Sequence, residues 1–111
     1  MSRNQFLGEF EHLVLLAVAR CGDEAYGMVI RQELEARSGA TVSIGSVYSA
    51  LDRMERNGYV ASTVGEPTPT RGGRAKRYYR LRAAGVGALT RARSRLDRFW
   101  DGLELEPGAQ P

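Results

Sequence analysis

At Asn57-Gly58 the apolar rhythm of this chain changes. Before that point apolar residues recur every three or four positions, through "EFEHLVLLAVARCG", "AYGMVIRQELEARSG" and "SIGSVYSALDRMER". After it, "YVASTV" and "AKRYYRLR" alternate with a period of two. The first rhythm buries one stripe of a helix, the second one face of a strand. From Ala83, "AAGVGALTRARSRLDRFWDGLE" returns to helical spacing. The expected order is helix, helix, helix, hairpin, long helix. A chain of 111 residues has room for one modest core. The fold class is therefore α+β, mostly α, with one small sheet.

Punctuation supports the same division. In the first helix Phe10, Leu13, Val14, Ala17, Val18 and Cys21 form the stripe, with Leu15 and Leu16 outside it, so this helix is expected at the centre. Tyr26, Val29, Ile30 and Leu34 point inward from the second, and Gly39 stops it. Ser43 is placed to cap the third helix and Asn57-Gly58 to end it. The two strands are joined by the turn-rich "GEPTPTRGGR".

The net charge of +3 permits an anionic partner without requiring one. A single cysteine, Cys21, forms no disulfide within the chain and suits a reducing compartment. The acid-interrupted apolar run near the start fits neither a secretory leader nor a membrane span. A cytoplasmic location, away from the membrane, is expected.

The third helix carries the first functional signal. Ile44, Val47, Leu51 and Met54 share one arc with Tyr48 at its edge, while Gly45, Ser46, Ser49, Arg53 and Arg56 lie opposite. Small residues in the first turns suit a helix entering the major groove, and the free amides after Ser43 suit a phosphate. Ser46, Ser49 and Arg53 are candidate contacts to bases or phosphates. A merely solvated face reads the same way. The hairpin shifts the balance, because "RGGRAKRYYRLR" holds Arg71, Arg74, Lys76, Arg77, Arg80 and Arg82 with no acid among them. Gly72 and Gly73 allow close backbone approach at its tip. The competing reading is an edge hairpin blocked by charge, with one tyrosine in the core.

The sequence resembles the PadR-type transcriptional regulators, winged helix-turn-helix proteins. The likeness rests on "LGEFEHLVLLAVA", "YGMVIRQEL", "SIGSVYSALDRMERNGYV" and "GGRAKRYYRLRAAG", in that order, from about Leu7 to Gly85. It implies homodimeric repressors acting on their own and a neighbouring transporter or stress gene, relieved in some members by small aromatic or drug-like compounds. By motif position it implies DNA contacts at Tyr26, Gly27, Ser46, Tyr48, Arg53, Gly72, Gly73 and Arg74. With Ser43, Ser49 and Lys76 these are the candidate DNA-binding residues. "EPTPT" before the glycines departs from the family pattern, and its prolines stiffen the loop. The expected layout is a winged helix domain over 5–82, a dimerisation helix over 83–104 and a disordered tail over 105–111.

In the last helix Leu89, Ala92, Leu96, Phe99 and Leu103 follow the spacing of a two-helix seam, with Trp100 beside it. Packing on the chain's own first helix is the alternative. A homodimer would suit a pseudo-palindromic operator on double-stranded DNA. Leu96, Phe99 and Trp100 are candidate ligand residues; the aromatics either line a cavity or fill it. His12 and Cys21 lack metal-ligand or catalytic company, and no phosphate-binding glycine loop is present, so neither metal, cofactor nor enzyme activity is expected. Besides a DNA-binding repressor, two readings are open: a protein-interaction module on the same scaffold, and a ligand sensor whose DNA binding is secondary.

Overall fold

The computed structural model describes residues 6–65 and 75–107. Its elements are α1 (Glu9–Cys21), a single 3-10 turn (Gly22–Glu24), α2 (Gly27–Ser38), α3 (Ile44–Arg56), β1 (Val60–Val64), β2 (Arg77–Leu81) and α4 (Ala83–Trp100). This is the expected order: a helix-turn-helix, a two-stranded hairpin and a long closing helix.

α1 lies at the centre, in contact with α2, α3, α4 and β2. Its buried residues are Val14, Leu15, Ala17 and Val18. The expected stripe is thus turned by part of a helix face: Leu15 is fully buried, whereas Leu13 and Leu16 are 38% and 41% exposed. Because α1 is apolar nearly all round, its sequence does not select which of these leucines faces the core; the elements packed around it do. Around it close Ile30 and Leu34 of α2, Val47, Ala50, Leu51 and Met54 of α3, Val60 of β1 and Tyr79 of β2. Each fully buried large side chain contributes about 1.5–3 kcal/mol relative to exposure.

The helix ends follow from local chemistry. Gly39 ends α2 with φ +74°, its N–H donating to Glu35 O at 3.0 Å. The connector to α3 is pinned by the Val42 N–H donating to Glu35 Oε2 at 2.8 Å. α3 finishes in a Schellman motif: Gly58 N–H donates to Glu55 O at 3.0 Å and Tyr59 N–H to Met54 O at 2.9 Å, with Gly58 at φ +81°. That turn delivers the chain directly into β1. The strands pair antiparallel from Val60↔Leu81 to Val64↔Arg77.

A third strand-like piece was not legible in the sequence. The link before α2 runs beside the hairpin, with Tyr79 N–H donating to Ala25 O at 2.8 Å and an isolated bridge between Tyr26 and Tyr78. The hairpin is thereby fastened to the start of α2.

α4 packs closely at its beginning. A Cβ on Gly85 would collide with the Tyr59 carbonyl, so glycine is what lets the helix cross the turn after α3. It stops at Trp100, short of the expected end at residue 104. Asp101 leaves helical geometry and Gly102 follows at φ +80°. Leu103 therefore stands beyond the helix and does not continue its seam. Residues 105–107 of the expected tail are exposed.

Candidate nucleic-acid interface

The outer face of α3 is built by its cap. Ser43 Oγ accepts the Ser46 N–H at 3.1 Å and lies 2.7 Å from Ser46 Oγ. The cap satisfies one of the helix's free donors and fixes the first turn. Both serines are exposed, and so are Gly45 and Ser49. A Cβ on Gly45 would meet nothing within 4 Å, so the helix tip is small and unobstructed. The inner face holds Val47, Ala50, Leu51 and Met54, all buried. The expected division of α3 into a core face and a free face is therefore present, with Ala50 added to the core side.

Arg53 continues the outer row one turn after Ser49, but it is not free. Its Nε–H donates to Glu11 Oε2 of α1 at 2.8 Å. Nothing local in the sequence announces this pair, whose members are 42 residues apart.

Tyr26, Gly27, Tyr48, Tyr78 and Lys76 come together at the start of α2. The Tyr26 and Tyr78 rings meet edge to face with centroids 5.4 Å apart, and Lys76 Nζ lies 4.4 Å above the Tyr26 ring. Tyr48 is partly exposed, and its hydroxyl end rests against Gly27. Gly27 itself is buried, and any Cβ there would collide with the Tyr48 phenol. Glycine at this position leaves room for the Tyr48 phenol. Tyr48 is correspondingly half core and half surface.

Across the hairpin, Arg77 Nη1 donates to Ser62 Oγ at 3.0 Å, and Ser62 Oγ donates to Glu55 Oε2 at 2.8 Å. This chain of bonds ties the end of α3 to the sheet. Tyr79 is the tyrosine in the core, and burial lifts its phenol above the ordinary value. Arg80 and Lys76 are exposed. Gly72, Gly73 and Arg74, expected at the tip, lie outside the described residues, as does Arg71.

The sequence profile of the Transcriptional regulator PadR-like family matches residues 14–91, most of the chain, from within α1 to the middle of α4. The chain belongs to this family. It is 39% identical over 77 residues to the transcriptional regulator Rv3488 of Mycobacterium tuberculosis, a match covering 69% of this chain and 67% of that protein. It is similar to the crystal structure of a PadR family transcription regulator from hypervirulent Clostridium difficile, with 27% identity and a TM-score of 0.67 over 83% of this chain and 90% of the other. A transcriptional regulator from Clostridium thermocellum shares the fold at a TM-score of 0.67, with 24% identity, over 80% and 81% of the two chains. The protein is a winged helix transcriptional regulator and not an enzyme.

In this PadR-like chain α4 divides the seam expected from its spacing. Ala92 is buried and Leu89 is packed against the protein's own core. Leu96 and Phe99 are 54% and 76% exposed, and Trp100 is 58% exposed. The two aromatics line different grooves. Trp100 lines an open groove of about 530 Å³ between α1 and α4, with His12, Leu16, Leu89 and Leu96. Phe99 lines another beside Phe6, Leu7 and Ala92, and Leu96 borders both. No described helix is long and apolar enough to cross a membrane.

Proposed function

We infer that this regulator acts as a homodimeric repressor in the cytoplasm, bound to a pseudo-palindromic operator in double-stranded DNA. The observation that carries this reading is the outer face of α3, small at its capped tip and unobstructed, beside a basic hairpin. Ser46 and Ser49 read base edges or hold phosphates, and Arg53 adds a charge farther along the same row. The amides behind the Ser43 cap face a phosphate, aided by the helix dipole. Tyr26, Lys76 and Tyr48 flank that face, with Gly27 seating Tyr48. Gly72, Gly73 and Arg74 complete the wing, whose cations follow the backbone.

Leu96 and Phe99, large and uncovered, supply the dimer seam, with Leu89 and Ala92 steadying the helix beneath and Leu103 at its margin. Exposed apolar surface of this kind seeks a partner. Pairing two α3 helices across a two-fold axis suits half-sites about one helical turn apart. The target genes are the regulator's own and a neighbouring transporter or stress gene. The groove bordered by Leu96 and Trp100 favours a second element, relief of repression by a flat aromatic compound, with Phe99 outside that groove. Such a ligand acts only as far as it prefers one arrangement of the subunits.

Light scattering of the chain with and without an operator duplex tests the arrangement. Two chains free and two per duplex are expected. A monomer in both states would remove the dimer, and tryptophan quenching by aromatics without any effect on DNA binding would leave a sensor alone.

A further inference from the structure

Glu11 sits in the first turn of α1, far in sequence from the DNA-facing helix, yet its carboxylate is held from two sides. Oε1 accepts the Gly8 N–H at 3.3 Å, and Oε2 accepts the Arg53 Nε–H at 2.8 Å. The Glu11 side chain is 23% exposed and that of Arg53 45%. An acid in the first turn is already favoured by the helix dipole, so Glu11 is anchored independently of Arg53. A guanidinium has five donors in a fixed plane, and engaging Nε fixes the direction in which the other four N–H groups point. The Arg53 terminal nitrogens have no hydrogen-bond partner among the described residues.

We propose that Glu11 is a positioning residue for DNA recognition, which orients the Arg53 guanidinium on the outer row of α3 and withholds part of its charge from indiscriminate phosphate binding. The inference rests on the reading of that row as the DNA-facing surface. Two consequences separate it from a simple strut. Orientation favours a bidentate contact to guanine or to one phosphate, which sharpens sequence preference. Partial neutralisation lowers the affinity for any duplex, because a cation already paired releases less from the counterion atmosphere.

Glutamine keeps an acceptor for Nε–H and removes the charge, whereas alanine removes both. Glu11→Gln is therefore expected to raise affinity for a scrambled duplex and steepen its salt slope by up to roughly 0.9, the value for one phosphate. Glu11→Ala is expected to do the same and also to lower the ratio of preferred to scrambled binding by about tenfold, the scale of one lost bidentate contact. With Arg53→Ala in the background, neither Glu11 change should alter DNA binding.

The experiment begins with a preferred duplex selected from a random pool by the intact wild-type chain. Anisotropy titrations at two salt concentrations then compare wild type, Glu11→Gln, Glu11→Ala, Arg53→Ala and the double variants, with thermal melting as the check on folding. Changes that vanish when Arg53 is absent support the proposal. Unchanged binding in a folded Glu11→Gln variant overturns it and leaves the DNA reading intact, and so do changes that persist without Arg53. A pool from which wild type enriches no sequence overturns the reading of α3 and the role of Glu11 together.

Discussion

α3 and α4 are both amphipathic, but each leaves something different uncovered. α3 turns Val47, Ala50, Leu51 and Met54 into its own chain's core and leaves hydroxyls, amides and arginines outside. α4 does the reverse over its second half: small Gly85, Ala88 and Ala92 are buried, while Leu96, Phe99 and Trp100 stand in solvent. Residue size separates the two halves of α4, since small side chains let a helix lie close to its own body. The lesson concerns partners. A helix whose apolar face is satisfied and whose outer face is polar and exposed suits a hydrated, charged partner; one with large apolar groups in solvent suits a second protein surface.

That contrast is open to a double dissociation. Leu96→Glu is expected to abolish the dimer and weaken DNA binding by about two orders of magnitude through lost bivalency, with melting little changed; light scattering and anisotropy read both. Retention of the dimer would move the seam off α4. Leu51→Ala should do the opposite, costing about 2–5 kcal/mol of stability in urea titration while the folded fraction still pairs.

Gly27→Ala sharpens the account of α2 and Tyr48. It should cost about 1–3 kcal/mol by overpacking, and adding Tyr48→Ala should recover most of that loss. No recovery would place the steric demand elsewhere. Ser43→Ala is expected to cost about 1 kcal/mol, the usual loss for an N-cap, and to weaken DNA binding by loosening the tip. Full stability in that variant would make the cap incidental.

The smallest effect concerns pH. The Arg37 hydrogen bond holds the Glu33 carboxyl below its ordinary range, against an upward push from burial that is weaker than this bond but stronger than the added hydrogen bond from Arg20. A depressed carboxyl stabilises the fold above its unfolded pKa, and that contribution fades as pH falls through the lower folded value. The groups are exposed and screened, so Glu33→Gln should flatten the acid limb of the melting profile only slightly. An unchanged acid limb would make the ion pairs irrelevant to stability.

Most of the fold was legible because its signals are local. Ser43, Gly39 and Asn57-Gly58 mark helix ends by chemistry that acts within a few residues, and the structure uses each of them at the expected place. The period change at Gly58 located the hairpin for the same reason. What failed was long-range or degenerate. The choice of Leu15 over Leu13 depends on the elements packed around α1, and an all-apolar helix offers no pattern to decide it. α4 was read past Trp100 because Leu103 keeps the spacing, yet Gly102 ends the helix first. Among the candidate contacts, the serines of α3 were visible as a face. The Glu11 partnership of Arg53 and the gathering of Tyr26, Tyr78 and Lys76 required the tertiary fold.

The most direct test of α3 as a sequence-reading surface is fluorescence anisotropy of the full chain. It compares the DNA upstream of the chain's own gene with a scrambled duplex, at two salt concentrations. The expected result is a preference of roughly a thousandfold or more for the upstream DNA, at the low end of specific recognition, with affinity for both duplexes falling steeply in salt. Equal affinity for the two would contradict autoregulation through α3 and leave only an electrostatic surface.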